Sequence, residues 1–280
     1  WLQDKDLAYE SEGALWFKST DFGDDKDRVL RKSDGELTYF ASDIAYHANK
    51  FERGFQRLID VWGADHHGYV PRIRAAMRGL GHSDADLQVL LVQLVNLVRE
   101  GQYVSMSTRA GEFVTLAEVV DEVGSDAARF IFLCHKSDSH LDFDLDLVKQ
   151  RSMDNPVYYV QYAHARICSV FKKARERGFL DGAGEADLSR LTQREELDIQ
   201  KLLDRYPDML QGAARTLSPH HLTFYLREFA GALHSYYNSA PVLNEKDPEL
   251  SRARLALLDG ISRVLANGLS LLGVRAPEQM

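Results

Sequence analysis

The hydrophobic pattern of this chain changes period close to residue 150, and that change limits the fold more than any other feature. Before it, short apolar runs alternate with helical stretches at close intervals, the pattern of a sheet built from strand–helix units. From about Asp154 onward only helical spacing appears. With 280 residues the chain is long enough for two domains, each with its own core. The expected fold is therefore α/β plus all-α, with residues 1–150 as a sheet-and-helix domain and residues 151–280 as a helical bundle.

Local signals place the elements. Residues 28–31 and 37–40 flank Ser33-Asp34-Gly35 and read as a hairpin, with Tyr39 ending its second strand. A helix is expected over 42–51, then a strand over 57–63, then a helix started by Pro71 and stopped by Gly81. Leu87, Leu90, Leu91, Leu94, Val95 and Val98 recur with helical spacing, which predicts a helix over 84–100. Thr115 and Glu118 have the spacing of a capping box, and Ser125 reads as the cap of the next helix. Residues 141–147 alternate strictly and read as a half-exposed strand. Helices are expected over 156–177, 193–206, 218–240 and 251–272, with Pro207, Pro219, Pro241 and Pro248 in or near the breaks and a loop over 178–184.

Composition excludes some function classes. Gln88, Gln93 and Asn96 interrupt the longest apolar run, which is too short and too polar to span a bilayer. The N-terminus carries Asp4, Asp6, Glu10 and Glu12 instead of a basic and then apolar signal. A cytoplasmic chain with no membrane partner is expected. It opens at Trp1 with no initiator methionine, so a piece of a longer protein is expected too. Cys134 and Cys168 fall in apolar helical patterns and read as buried thiols. A net charge of -8 argues against a broad surface coating nucleic acid, though a local basic face is compatible with it.

Four segments carry candidate chemistry. Ser105-Met106-Ser107-Thr108-Arg109-Ala110-Gly111 is a small polar loop in which Arg109 supplies charge and Gly111 permits close approach, as phosphate binding requires. Asp65-His66-His67 follows a strand and offers metal-ligand chemistry, although further aspartates at other strand ends are missing. Asp43, in the first turn of the expected helix, reads either as a match to the helix dipole or, with the Tyr39 ring, as a carboxylate and aromatic surface of the kind a planar guanidinium needs. Tyr158, Tyr159, Tyr162 and His164 precede Arg166, Lys172, Lys173, Arg175 and Arg177, and rings interleaved with cations suit unstacked RNA bases. Asp142, Asp144 and Asp146 invite a calcium reading. The required Gly and Glu are replaced by Leu147 and Met153, so no metal site is assigned there. His220 and His221 read as surface or capping residues, and His135 and His140 bracket a loop.

These segments, in this order, resemble bacterial arginyl-tRNA synthetases, a family of class I aminoacyl-tRNA synthetases, nearly from end to end. Met106, Ser107 and Arg109-Ala110-Gly111 are similar to the family's K-M-S-K-S-type loop, with Ser105 and Thr108 standing where lysines are usual. Trp62 to Arg72 (WGADHHGYVPR), the Y-x-x-x-D element at Tyr39 and Asp43, the run YVQYAHARICSVFKKA and the ending from Asn267 to Met280 carry the rest. The resemblance implies that residues 1–150 are the second half of a Rossmann-type catalytic domain with a stem-contact region. Residues 151–280 would be the α-helical anticodon-binding domain. It implies arginine contacts from Tyr39, Asp43 and His66, and ATP contacts from Asp65, His66, Met106, Arg109 and Gly111. Met106, Ser107 and Arg109 would form the catalytic loop, and Tyr159, Tyr162, Arg166, Tyr237 and Met280 the tRNA surface.

The implied activity is activation of L-arginine with ATP, magnesium bridging the phosphates, and transfer to tRNA-Arg by a monomer without a tightly bound cofactor. No His-x-Gly-His signature is present in this sequence. The chain alone is therefore expected to be inactive in aminoacylation while keeping salt-sensitive contact with tRNA. Two other readings stay open: a metal-dependent phosphoesterase using Asp65, His66 and His67, and a non-catalytic RNA-binding or docking module.

Overall fold

Two parallel strands and the helix that joins them form the centre of the first half of the chain. The computed structural model describes residues 1–104, 114–180 and 186–280. It divides into two units, residues 1–94 with 137–139, and residues 95–136 with 140–280.

In the first unit, β1 (Ala8–Ser11), β2 (Ala14–Phe17) and β3 (Arg28–Arg31) form an antiparallel sheet in that order. α1 (Tyr39–Glu52) starts where the Thr38 hydroxyl accepts from the Ala41 N–H at 3.3 Å and donates to the Val29 carbonyl at 2.8 Å. β4 (Leu58–Gly63) leads through a short 3-10 turn, Ala64–Tyr69, into α2 (Val70–Gly79) and then β5 (Leu87–Val92). β4 and β5 pair in parallel from Leu58↔Leu87 to Gly63↔Val92, a strand–helix–strand crossover. Phe17, Phe40, Ile44, Ile73, Met77 and Leu87 fill the core between these layers.

In the second unit, β6 (Val95–Arg99) lies between β7 (Gln102–Tyr103), antiparallel to it, and β8 (Leu141–Asp144), parallel to it. α3 (Leu116–Val123), α4 (Ser125–Leu133) and α5 (Leu145–Lys149) accompany this sheet. Four long helices follow: α6 (Pro156–Glu176), α7 (Arg194–Thr216), α8 (His220–Ser239) and α9 (Pro248–Leu271). Phe130, Phe143, Val160, Phe229, Tyr236 and Ile261 belong to one continuous core. Cys134 is buried and Cys168 half-buried, both as free thiols. No helix among the described residues is long and apolar enough to cross a membrane.

The capping box at Thr115 and Glu118 is present, with Glu118 accepting from the Thr115 N–H at 2.6 Å. Other expectations are corrected. The helix predicted over 84–100 is two strands, β5 and β6, separated at Gln93, whose N–H donates to the Ser137 carbonyl. A nearly unbroken apolar run contains both periods, and pairing with β4 decides for strand. The hairpin's second arm shrinks to one bridge, Arg31↔Leu37, so Tyr39 opens α1 instead of ending a strand. Asp43 accordingly stands one turn inside α1, not in its first turn.

The strand expected over 141–147 stops at Asp144, whose carboxylate accepts from the Asp146 and Leu147 N–H groups and starts α5. Ser125 is the first residue of α4, and Gly124 holds its cap position without a side-chain bond. α7 runs through Pro207 to Thr216 instead of ending there. Burial of Ile199 and Tyr206 along that helix outweighs the one hydrogen bond that a proline removes.

Candidate functional site

The carboxyl end of a parallel strand is where an open α/β sheet leaves room for a ligand. β4 ends at Gly63, and the Ala64–Tyr69 turn and α1 enclose a pocket of about 520 Å³ there. Tyr39, Asp43, Lys50, Asp60, Trp62 and His66 are among its lining residues. Three of the residues singled out in the sequence, Tyr39, Asp43 and His66, are therefore brought together. Tyr39 is 91% exposed and presents a free ring face, while Asp43, one turn further along α1, presents a carboxylate.

Asp43 is held by a residue that the sequence reading did not single out. The Tyr69 hydroxyl donates to Asp43 Oδ2 at 2.6 Å, and Asp43 Oδ1 has no hydrogen bond among the described residues. Burial, then the bond to Asp43, pushes the Tyr69 hydroxyl well above the usual phenol range. Tyr69 is fixed in turn by edge contacts with Phe40 and Trp62 and by the Arg72 guanidinium, 4.8 Å from its ring centre.

Asp60 is buried below this layer. His47 Nδ1 donates to the Asp43 carbonyl at 2.7 Å, and its Nε2 lies 2.8 Å from Asp60 Oδ2. Lys50 donates to Asp60 Oδ1 at 3.2 Å and stands 4.5 Å over the Tyr46 ring. Burial opposes ionisation of Asp60, but the hydrogen bonds and charges of His47 and Lys50 prevail and hold its carboxyl below the usual range. The only sequence signal for this cluster is an aspartate inside an otherwise apolar strand.

Asp65, His66 and His67 do not converge on one point. Asp65 Oδ2 lies 3.6 Å from His66 Nε2, and His67 Nδ1 donates to the Ala64 carbonyl. Among the described residues, no group of three His, Cys, Asp or Glu side chains is placed to hold a metal ion. The aspartates of 141–147 have other work: Asp142 accepts from Asn96 and Tyr103, Asp144 caps α5, and Asp146 accepts from the Glu100 N–H. The segment Ser105 to Gly111, with Met106, Ser107 and Arg109, lies outside the described residues.

In the second unit, α6 and α8 bring four of the five residues singled out for RNA together. The Arg166 guanidinium lies 5.2 Å from the Tyr162 ring centre and 4.3 Å from that of Tyr237. Its Nη1 donates to His234 Nδ1 at 3.2 Å, which leaves His234 Nε2 to donate to the Tyr159 carbonyl at 3.4 Å. Burial, helped by the Arg166 charge, lowers the His234 pKa. Lys172, Lys173 and Arg175 are exposed along the last turns of α6, and Arg177 is exposed just past its end. His164 instead turns inward and donates to the Pro277 carbonyl. Met280 is not part of this cluster; it lines a separate pocket of about 790 Å³ with Tyr158, Gln161 and Arg275.

A parallel strand–helix–strand unit with a polar pocket at its carboxyl end, in one chain with a helical unit bearing a cation–aromatic surface, is the layout of a class I tRNA synthetase. The model of tRNA synthetases class I (R), catalytic domain, matches residues 1–148, and the chain belongs to this family. The model of the DALR anticodon binding domain matches residues 160–280.

The more specific likeness is to arginine–tRNA ligases. One of that name from Nitratidesulfovibrio vulgaris strain Miyazaki F is 64% identical over 276 residues, covering 98% of this chain and 50% of its own. Another from Oleidesulfovibrio alaskensis is 62% identical over 281 residues, covering 100% of this chain and 51% of its own. A solved structure from Campylobacter jejuni superposes with a TM-score of 0.89 at 36% identity, covering 100% of this chain and 60% of that one. The chain spans about half the length of the curated relatives it matches.

Proposed function

We propose that this chain is the arginine-selecting and anticodon-reading part of an arginine–tRNA ligase. The observation that carries the reading is Asp43, which lines a pocket with Tyr39 and Trp62: one carboxylate oxygen is tied to Tyr69, and the other has no hydrogen bond among the described residues. A guanidinium offers planar N–H donors and a face for stacking, and this wall answers both. Tyr39, Asp43 and His66 then contact arginine, while Asp65 and His66, with Met106, Arg109 and Gly111, contact ATP. Met106, Ser107 and Arg109 act on the reacting phosphates. ATP is a substrate with magnesium as its counter-ion.

The reaction activates the arginine carboxylate as an adenylate, releasing pyrophosphate, and passes the arginyl group to the terminal adenosine of tRNA-Arg. No side chain of the pocket is positioned as an evident acid or base. Positioning and charge neutralisation carry such a reaction. Tyr159, Tyr162, Arg166 and Tyr237 form one patch of the tRNA surface, and Met280, at the separate pocket beside Tyr158, gives a second contact. Residues 1–150 serve catalysis and stem contact, and residues 151–280 read the anticodon. The protein works as a monomer in the cytoplasm.

The phosphoesterase reading is not favoured, because Asp65, His66 and His67 diverge. Filter binding tests the proposal: tRNA-Arg is retained more tightly than other tRNAs, with affinity falling steeply as salt rises. Equal retention of all tRNAs points instead to a generic RNA-binding module. The chain alone is expected to show no arginine-dependent ATP–pyrophosphate exchange, and measurable exchange refutes that expectation.

A further inference from the structure

Arg166 stands in the middle of the ring cluster on α6 and α8, and one hydrogen bond fixes it there. Its guanidinium lies 5.2 Å from the Tyr162 ring centre and 4.3 Å from that of Tyr237, while Nη1 donates to His234 Nδ1 at 3.2 Å. A guanidinium has only donors and keeps its proton, so this bond exists only while Nδ1 carries a lone pair. The matching tautomer is held from the other side, where His234 Nε2 donates to the Tyr159 carbonyl at 3.4 Å. We propose that His234 is a positioning residue: as a neutral acceptor it holds Arg166 between the two tyrosines, and on gaining a proton it expels Arg166 and weakens RNA binding. This rests on the tRNA-surface reading above and adds to it the group that places the central cation.

The surroundings of His234, which is 8% exposed, leave its proton no other partner to reward it. From α6 it is faced by Tyr159, with ring centres 4.8 Å apart, by Tyr162 at 5.9 Å, and by Arg166. The buried Glu196 of α7 and Arg254 of α9 meet Tyr236 instead, two residues along α8 and so on its far face. α4 meets α8 at Thr223, about three turns earlier. The charge that acts on the ring is that of Arg166, which with burial lowers its pKa from 6.5. Protonation turns Nδ1–H toward Nη1–H, setting two donors and two positive charges against each other. Arg166 is the partner able to move, because its long side chain is half-buried while His234 is enclosed. The sign separates this from ordinary electrostatics. Added positive charge on its own tightens RNA binding as pH falls. Here one further proton displaces a placed guanidinium, so affinity is complete above 6.5 and is lost as pH drops through the lower folded value.

Fluorescence anisotropy of labelled tRNA-Arg with the whole chain, at constant salt between about pH 8 and about pH 5, reads the effect. The parent binds about tenfold more weakly at the acid end. His234→Asn keeps an acceptor near the Nδ1 position and has no proton to gain, so its profile lacks the acid decline. At the alkaline end His234→Leu costs about tenfold in affinity, and His234→Asn recovers part of that loss. A folded His234→Asn chain with the parent's acid decline overturns the proposal, as does a parent whose affinity is flat or rises toward acid. If circular dichroism shows that His234→Asn does not fold, Arg166→Gln decides: the acid decline disappears with the cation, and a decline that persists overturns the proposal. Failure of the parent to bind tRNA-Arg at any pH overturns the surface reading itself, a result distinct from these.

Discussion

The His47 imidazole on α1 lies 2.8 Å from the Asp60 carboxylate on β4, and its other nitrogen donates to the carbonyl of Asp43. One side chain thus ties the helix that carries the pocket carboxylate to the strand beneath it. His47→Leu leaves Asp60 buried with Lys50 as its remaining partner, and about 1–3 kcal/mol of stability is expected to be lost in denaturant unfolding. The sign with pH follows from Asp60, whose folded pKa is lowered from 3.8. Its contribution is complete above 3.8 and disappears as pH falls through the lower folded value. Between 3.8 and that lower value the parent therefore loses stability more steeply than Asp60→Asn does; identical acid limbs would falsify this assignment.

His234 offers a second test, at milder pH. Burial and the neighbouring Arg166 lower its pKa from 6.5, so the unfolded chain takes up the proton first as pH falls. The stabilisation is complete above 6.5 and is lost as pH drops through the folded value. Imidazole resonances followed by NMR should place the His234 midpoint below 6.5. Protonation there ends the bond from Arg166, so the Tyr162 and Tyr237 ring resonances move in the same step. A midpoint at or above 6.5 contradicts the assignment of Nδ1 as an acceptor.

The helical core contains its own buried ion pair. Arg254 Nε donates to Glu196 Oε1 at 2.8 Å, Tyr236 donates to the same oxygen at 3.0 Å, and the two charged side chains are 4% and 0% exposed. Arg254→Met strands a buried carboxylate and is expected to cost about 3–5 kcal/mol. Adding Glu196→Met removes the stranded charge, so the double variant loses less than the sum of the single losses. Thermal unfolding of the four chains measures this coupling, and strict additivity would show that the pair does not interact.

Two glycines predict opposite outcomes for the same substitution. A Cβ on Gly79, near the end of α2, meets the buried Phe17 ring at 2.7 Å, so Gly79→Ala overpacks the first unit by about 1–3 kcal/mol. Gly212 lies within α7 with nothing inside 4 Å of a Cβ, so Gly212→Ala stabilises by about 1 kcal/mol through helix propensity. Chemical denaturation of both variants checks the signs, and a stabilised Gly79→Ala chain contradicts the packing described.

Much of the fold was legible because its causes are local. Thr115 and Glu118 satisfy each other's backbone three residues apart, and Pro71 and Pro156 mark helix starts by their missing N–H. The family was legible in the same way, through motifs such as WGADHHGYVPR that are contiguous in the chain. The candidate pocket was half legible: Tyr39, Asp43 and His66 stood out by residue type, whereas Tyr69, His47 and Lys50 did not. Their parts depend on which atoms they reach, and Tyr69 reaches Asp43 across 26 residues of chain.

What the sequence determined by itself was the alternation of strand and helix before residue 150, the helical remainder and the family. Tertiary structure decided the rest at two points. The run from Leu87 to Val98 carries apolar residues at both periods, and only a neighbouring strand able to accept its backbone bonds makes it sheet. Asp60 is an acid in an apolar strand, and only the packing of α1 over β4 brings it the His47 and Lys50 partners that keep a buried charge affordable. Local patterns specify which backbone forms are possible. Burial and pairing between distant segments select among them, because desolvation is felt only once the segments meet.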